Sequence, residues 1–319
     1  MKAIIASFLI IFILPCNAQN KTLNDEISTV IDNENTNNHV RLKGTKSFVI
    51  LPDEFLLIKN LARYQKKEKL YFHVAEFPTL FSKVIPNLSK EAIESKGAKI
   101  GIYTKLKVNG ADGIYFEGPS KYPGETKLCL YFGVDSTTIA VTGVCKTADK
   151  SGKREILTIM NSIFFDKDFE LDPFELSNFT FDKTISGFKF NSSTSNMFVF
   201  SPNGHHDNPN DMNISSITIG SFPKMTEYEA EKLAKDLIWR YPAMKRIFLE
   251  STEPIRMELS GYTSFVLETK IEMNGKNGVL YQAVIMGENS GLLFLGTSFS
   301  EIEKYKEIFK RTSMSFKID

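Results

Sequence analysis

The chain reads as an α+β protein made of two tandem repeats, each an antiparallel sheet packed with helices. Landmarks between Ser47 and Lys167 return in the same order between Asn178 and Ile318. Each copy consists of strand-length runs rich in β-branched and aromatic residues, bounded by Gly, Asn, Asp and Pro. Each also has two segments with helix-start chemistry or one apolar stripe, the pattern of a helix lying on a sheet face. With 42% hydrophobic and 24% charged residues in 319, the chain can bury two cores, which excludes a disordered or fibrous class. Lys plus Arg is 39 against 38 Asp plus Glu, so no overall field favours nucleic acid.

In chain order, the first segment is an address. Met1-Lys2 precedes an uncharged apolar run, Ala3 to Leu14, and then Pro15-Cys16-Asn17-Ala18. This is the layout of a signal peptide over 1–18, cleaved after Ala18, and the run is short of the roughly 20 residues a spanning helix needs. The expected protein is exported, periplasmic or secreted, with no membrane span after signal removal. A lipoprotein acylated at Cys16 is the alternative, against which stands Pro15 where a small residue is usual. Losing Lys2 leaves 38 basic against 38 acidic residues, and losing Cys16 leaves two cysteines.

Residues 19–46 are rich in Asn, Asp and Glu with scattered apolar residues, and read as a flexible leader. The first repeat, 47–167, opens with FVILPDEFLLIKN and closes with NSIFF; the second, 178–319, opens with FTFDKTISGFKFN and closes with TSMSF. Between them Phe77-Pro78 answers Phe222-Pro223, Gly110 answers Gly261, Gly133 and Gly143 answer Gly287 and Gly296, and Ser162 answers Ser313. A competing alignment sets Phe48 against Phe198. The acidic stretch 168–177, broken by Pro173, reads as a linker. Helices are expected from Ser89, from Lys153, after Thr226 and after Ser300, the last two with Glu at capping-box spacing (Glu229, Glu303). An oxidising compartment would allow a disulfide between Cys129 and Cys145; the alternative is two buried thiols.

The order of strands, a helix, a four-strand meander and a closing helix with a short final strand resembles the fold of PsbP, an extrinsic photosystem subunit. That fold also occurs in a Ran-GTPase-binding protein and in bacterial exported proteins. The Phe-Pro step, the turns at Gly110 and Gly261, and the endings at Ser162 and Ser313 carry the resemblance. It implies an accessory or binding role without common catalytic residues. The tandem arrangement departs from single-domain members.

Catalytic chemistry needs a nucleophile, base or metal held by groups that tune it, so the histidines bound the search. His39 falls in the leader and His73 in a strand. His205 and His206, with Asp207 and Asp211, lie in an insertion of the second copy and could ligate a divalent metal, although adjacent histidines in extended chain point opposite ways. The other reading of SPNGHHDNPNDMN is a polar surface turn. No GxSxG, HExxH, phosphate-loop, dinucleotide or EF-hand pattern is present, and no cofactor is expected. The clusters Lys66/Lys67/Lys69 and Lys150/Lys153/Arg154 read as solvated loops. The expectation is an exported, non-enzymatic binding or accessory protein of the envelope, its partner a protein or envelope component. The alternatives are a metal or small-molecule binding module using the 201–213 loop or an inter-domain groove, and an unrecognised hydrolase.

Overall fold

The computed structural model describes residues 26–204, 215–239, 246–248, 253–273 and 275–319. The first unit runs β1 (Val30–Ile31), β2 (Val40–Arg41), β3 (Ser47–Val49), β4 (Leu56–Ile58), β5 (Arg63–Lys67), β6 (Leu70–Phe77), α1 (Phe81–Val84), α2 (Lys90–Glu94), β7 (Ile102–Val108), β8 (Ala111–Pro119), β9 (Glu125–Val134), β10 (Thr137–Lys146), α3 (Lys150–Asn161) and β11 (Phe164–Phe165). The second runs β12 (Phe179–Thr180), α4 (Lys183–Ser186), β13 (Lys189–Thr194), β14 (Met197–Ser201), β15 (Ser216–Pro223), α5 (Glu227–Trp239), β16 (Arg246–Phe248), β17 (Ile255–Leu259), β18 (Tyr262–Met273), β19 (Lys276–Met286), β20 (Ser290–Ser298), α6 (Ile302–Ser313) and β21 (Lys317–Ile318).

The two large sheets follow one path. In the first the order is β1-β7-β8-β9-β10-β6-β5-β4; in the second it is β13-β14-β15-β20-β19-β18, with β16 and β17 both on β18. Read from the opening hairpin, β4-β5-β6-β10-β9-β8-β7 corresponds strand for strand to β13-β14-β15-β20-β19-β18-β17. Both hairpins that begin the meander turn through two residues of positive φ, Asn109-Gly110 and Ser260-Gly261, where a Gly without a Cβ relieves the second position. A methyl at Gly143 would overlap Ile156 of α3, and one at Gly296 would overlap Phe309 of α6. In each copy this glycine lets the closing helix press on the sheet.

Each sheet is covered on both faces. In the first unit α3 packs Ile156, Leu157, Ile159 and Met160 against Phe72, Leu128, Leu130 and Phe132, while Phe81 and Leu88 cover the opposite face around Ile114. In the second, α6 brings Phe309 onto Tyr281 and Phe294, and α5 covers the other face with Ala230 and Ala234 against Phe265 and Val284. Each fully buried large side chain in these layers contributes about 1.5–3 kcal/mol of transfer free energy, so both units have cores of their own.

Helix starts follow local chemistry. Ser89 accepts from Ala92 N–H, and Asp149 accepts from Gly152 N–H at 2.9 Å, so α3 begins three residues before the expected Lys153. The Thr226/Glu229 box forms reciprocally: Thr226 N–H donates to Glu229 Oε2 at 2.8 Å, and Glu229 N–H to Thr226 Oγ1 at 3.3 Å. The Ser300/Glu303 box does not form. Glu301 stands at the N-cap of α6 in the left-handed region with no side-chain cap, which takes Ser300 out of capping position.

The ends of the repeat need one correction. β3 pairs with β11 (Phe48 with Phe164) and β12 with β21 (Phe179 with Ile318), which supports Phe48 against Phe179 and places Phe198 in β14, outside that role. Ser162, however, matches Ser315 and not Ser313. Ile50 N–H donates to Ser162 Oγ at 2.9 Å and Asp182 N–H to Ser315 Oγ at 3.1 Å, while each hydroxyl donates back to a carbonyl of its own helix, Ile159 O and Thr312 O.

Two segments are more ordered than their composition suggests. Within the expected leader, β1 pairs in parallel with β7, β2 pairs with β3, and Ile31 and Leu42 are buried, so residues 26–46 belong to the first unit. The expected linker 168–177 is held to both units by two adjacent residues: Arg41 donates to both carboxylate oxygens of Glu175 (2.9 and 2.5 Å), and Phe174 stacks on Phe198. The Arg41 guanidinium holds the Glu175 carboxyl below the usual carboxylate range.

Candidate binding clefts

The disulfide open to Cys129 and Cys145 does not form. Cys129 pairs with Thr142 and Cys145 with Thr126, so the two lie on opposite faces of the sheet, and both are buried free thiols. The hairpin turns through two residues, Asp135 and Ser136, and the register this sets puts the two cysteines on opposite faces. Burial pushes the Cys145 thiol up to about 11 and raises Cys129 as well, leaving both unreactive.

His205, His206, Asp207 and Asp211 lie outside the described residues, as do the signal segment and Cys16. Among the described residues no group of three His, Cys, Asp or Glu is placed to hold a metal, and no helix is long and apolar enough to cross a membrane. His73 lies in β6; desolvation, with Lys127 and Arg63 nearby, lowers its pKa to about 4 and keeps it neutral. His39 bonds Thr36 Oγ1 through Nδ1 (2.9 Å) and lies 3.0 Å from Ser162 O through Nε2, at the end of α3. The lysines expected in solvated loops are partly structural. Lys66 sits in β5 between Glu54 and Glu155, both at 3.1 Å, and Lys150, Lys153 and Arg154 belong to α3.

The groups that do converge lie under the two closing helices. In the first unit a cleft of about 370 Å³ opens between β7, β8 and α3, lined by Ile102, Thr104, Tyr115, Glu117, Lys153 and Leu157. Lys153 Nζ donates to Glu117 Oε1 at 2.6 Å and Tyr115 OH to Glu117 Oε2 at 2.5 Å. Burial, together with the Glu117 carboxylate, raises the Tyr115 phenol, which stays protonated. Both carboxylate oxygens of Glu117 are thus occupied by donors, and the cluster lacks a free base or a nucleophile.

The second unit repeats the cleft at the matching place, about 420 Å³ between β17, β18 and α6. Val266, Glu268, Lys306 and Lys310 stand where the first copy has Tyr115, Glu117, Lys153 and Leu157, and Lys306 Nζ meets Glu268 Oε1 at 2.5 Å. The Glu–Lys pair is therefore present in both copies. It was legible in the alignment of KVNGADGIYFEG with ELSGYTSFVLET, in which Glu117 faces Glu268, yet nothing local marks either glutamate as the partner of a helix lysine.

What covers the two clefts differs. In the first copy the segment Glu26–Ile31 runs along β7, with Lys107 N–H donating to Thr29 O (3.0 Å) and Asn109 N–H to Ile31 O (2.7 Å), while Glu26, Ile27 and Thr29 line the cleft. Asn161, at the end of α3, receives Ser28 N–H and donates to Glu26 O. In the second copy no described strand pairs the outer edge of β17, and the cleft is lined by Ile255, Met257 and Met314, exposed by 69%, 36% and 46%.

A third concavity, about 360 Å³, lies between the units, where Lys46, Glu76, Asp135, Phe165 and Lys167 face Ser192 and Ser193. Glu76 accepts from Lys46 N–H and Ser47 Oγ, both at 2.8 Å; burial raises its pKa against those hydrogen bonds. Beside it Asn196 Nδ2 donates to Asn60 O at 2.8 Å, tying one unit to the other.

No family model matches the chain, and no curated protein matches it. Among solved structures it is similar to LpqN, involved in cell envelope biogenesis of Mycobacterium tuberculosis (12% identity, TM-score 0.34, 44% of this chain and 82% of that one). It is similar to cyanobacterial PsbP, CyanoP, from Synechocystis (12%, TM-score 0.28, 44% and 91%). A third is the immunity protein TplEi of T6SS from Pseudomonas aeruginosa (8%, TM-score 0.30, 88% and 97%). PsbP, the family the sequence resembles, is thus among its structural neighbours, while the α+β architecture itself rests on the strand order and pairing. At these scores no residue role or partner passes from those proteins to this chain.

Proposed function

We propose that this is an exported, non-enzymatic binding or accessory protein of the cell envelope, with its binding surface on the second repeat. One observation carries the reading: equivalent clefts exist in both repeats, and the chain walls the first with its own strand, whereas among the described residues no strand borders the second, which has exposed apolar side chains around it. A contiguous apolar patch beside an unpaired strand marks an interaction site more often than a monomer surface. The signal-like N-terminus supports export. The paired state of Glu117 and Glu268 supports binding over hydrolysis, because neither carboxylate is left unpaired to act as a base. Recovery of envelope components after photocrosslinking from position 257 tests this; crosslinks to an envelope protein are expected. Turnover in a broad ester, peptide and glycoside screen would replace it with the hydrolase alternative.

The inter-domain concavity supports a second reading, a small-molecule site, because Lys46 and Lys167 there flank the half-buried Glu76 carboxylate. A thermal shift with small metabolites checks it, since a ligand at 100 times its Kd adds about 2.7 kcal/mol.

A further inference from the structure

The two copies can be compared position by position at the cleft, and the comparison says what the open one is built to receive. In the first copy the cover is an extended segment parallel to β7, bonded through Lys107 N–H and Asn109 N–H. The matching positions are Glu258 in β17 and Ser260 just after it, and β17 has no strand on that side among the described residues. Where the first copy lines the cleft with Thr104 the second has Ile255, and where Asn161 grips the strand's backbone the second has Met314. The walls are more apolar and hold the backbone less. Two changes run in the opposite sense: Leu157, which shares the first cleft with Ile27, is replaced by Lys310, and Ile102 by Glu253, whose carboxylate forms an ion pair with Lys235.

We infer that the β17 edge of the second repeat receives an extended segment of a partner polypeptide as an added parallel strand, with apolar side chains over Ile255 and Met257 and a carboxylate facing Lys310. This rests on the proposed binding role and names its occupant. Edge addition supplies affinity through main-chain hydrogen bonds, while the alternate side chains that enter the cleft supply selectivity. Lys310 sets the sign: a cation beside an apolar wall selects an acidic side chain at the position that Ile27 occupies in the first copy, and disfavours the aliphatic one found there.

The probe is a fluorescent peptide of residues 26–33, EISTVIDN, carrying Ile27→Asp, titrated against the full chain by anisotropy, with the unaltered peptide as control. Saturable binding of the acidic peptide is expected, with the unaltered one weaker. In a Lys310→Leu chain the preference should invert, the acidic peptide losing about tenfold, as removal of one charged hydrogen-bond partner implies. Amide hydrogen exchange of the wild-type complex should slow at Glu258 and Ser260 and remain unchanged at Lys107 and Asn109. Binding without slowing on β17, an unchanged preference in the Lys310→Leu chain, or no binding by either peptide each overturns strand addition. The broader binding role fails separately, if photocrosslinking from position 257 captures no envelope component.

Discussion

The first repeat closes its outermost strand with β1, whereas the second leaves the matching edge of β17 without a described partner. Both copies have the same strand path, the same positive-φ turn before the meander, the same glycine beneath the closing helix and the same Glu–Lys pair at the cleft. Covering the edge is therefore separable from making the fold. The cover contributes to stability in the first copy, and the β17 edge, which has no strand partner among the described residues, is where the proposed association would occur.

The largest effect expected from this contrast is at the edge itself. Ile31 is 2% exposed against the first core, so Ile31→Asp places an unpaired carboxylate there and should cost about 4 kcal/mol. Met257→Asp, on the exposed counterpart edge, should cost under ~1 kcal/mol. Urea titration of each variant measures both, and equal costs would mean the second edge is covered after all.

Acid should next separate the two units. His73 has an ordinary pKa of 6.5 unfolded and about 4 folded, and Thr218 occupies its place in the second sheet. A base whose folded pKa is depressed takes up its proton more readily when unfolded. Its contribution is complete above pH 6.5 and is lost as pH falls toward 4, by about 3 kcal/mol in all. His73→Leu should flatten that part of the stability profile, followed by thermal melts at each pH, while Thr218→Leu leaves its shape unchanged.

The paired charges should rank by burial. Glu117 is 11% exposed and its partner Lys153 33%, against 33% and 31% for Glu268 and Lys306. Lys153→Ala should destabilise by about 2 kcal/mol because it strands a buried carboxylate. Lys306→Ala should cost no more than about 1 kcal/mol, since both members of that pair are in reach of solvent. Chemical denaturation resolves the two. The smallest contrast is at the caps: Thr226→Ala should lose about 1 kcal/mol from α5, whereas Ser300→Ala, which removes no cap, should be nearly silent at the start of α6 by hydrogen exchange.

Much of the architecture was legible because it is written in local chemistry. The turn at Gly110 and its repeat at Gly261, the Ser89 cap and the Thr226/Glu229 box each act within a few residues, so spacing alone reveals them. Phe48 and Phe179 each lie in a short strand that pairs with the end of its own unit, a match visible in the two opening segments although the pairing itself is long-range. The ending at Ser162 slipped by two residues because the bond that defines it runs to Ile50, far away in sequence. Of the candidate site, the metal set lies outside the described residues, and the disulfide failed on a register that only the turn length decides.

The amino-acid sequence on its own carried the repeated landmarks, the main strands and helices of each copy, and the apolar N-terminal run, each read from patterns a few residues long. Only the tertiary structure decided that Glu26–Ile31 runs along β7, that Glu175 locks onto Arg41, and that one cleft is walled by this segment while its twin has no such wall among the described residues. Val30 pairs with Lys107, 77 positions away, and such a pairing has no energy until the edge of β7 exists to receive it.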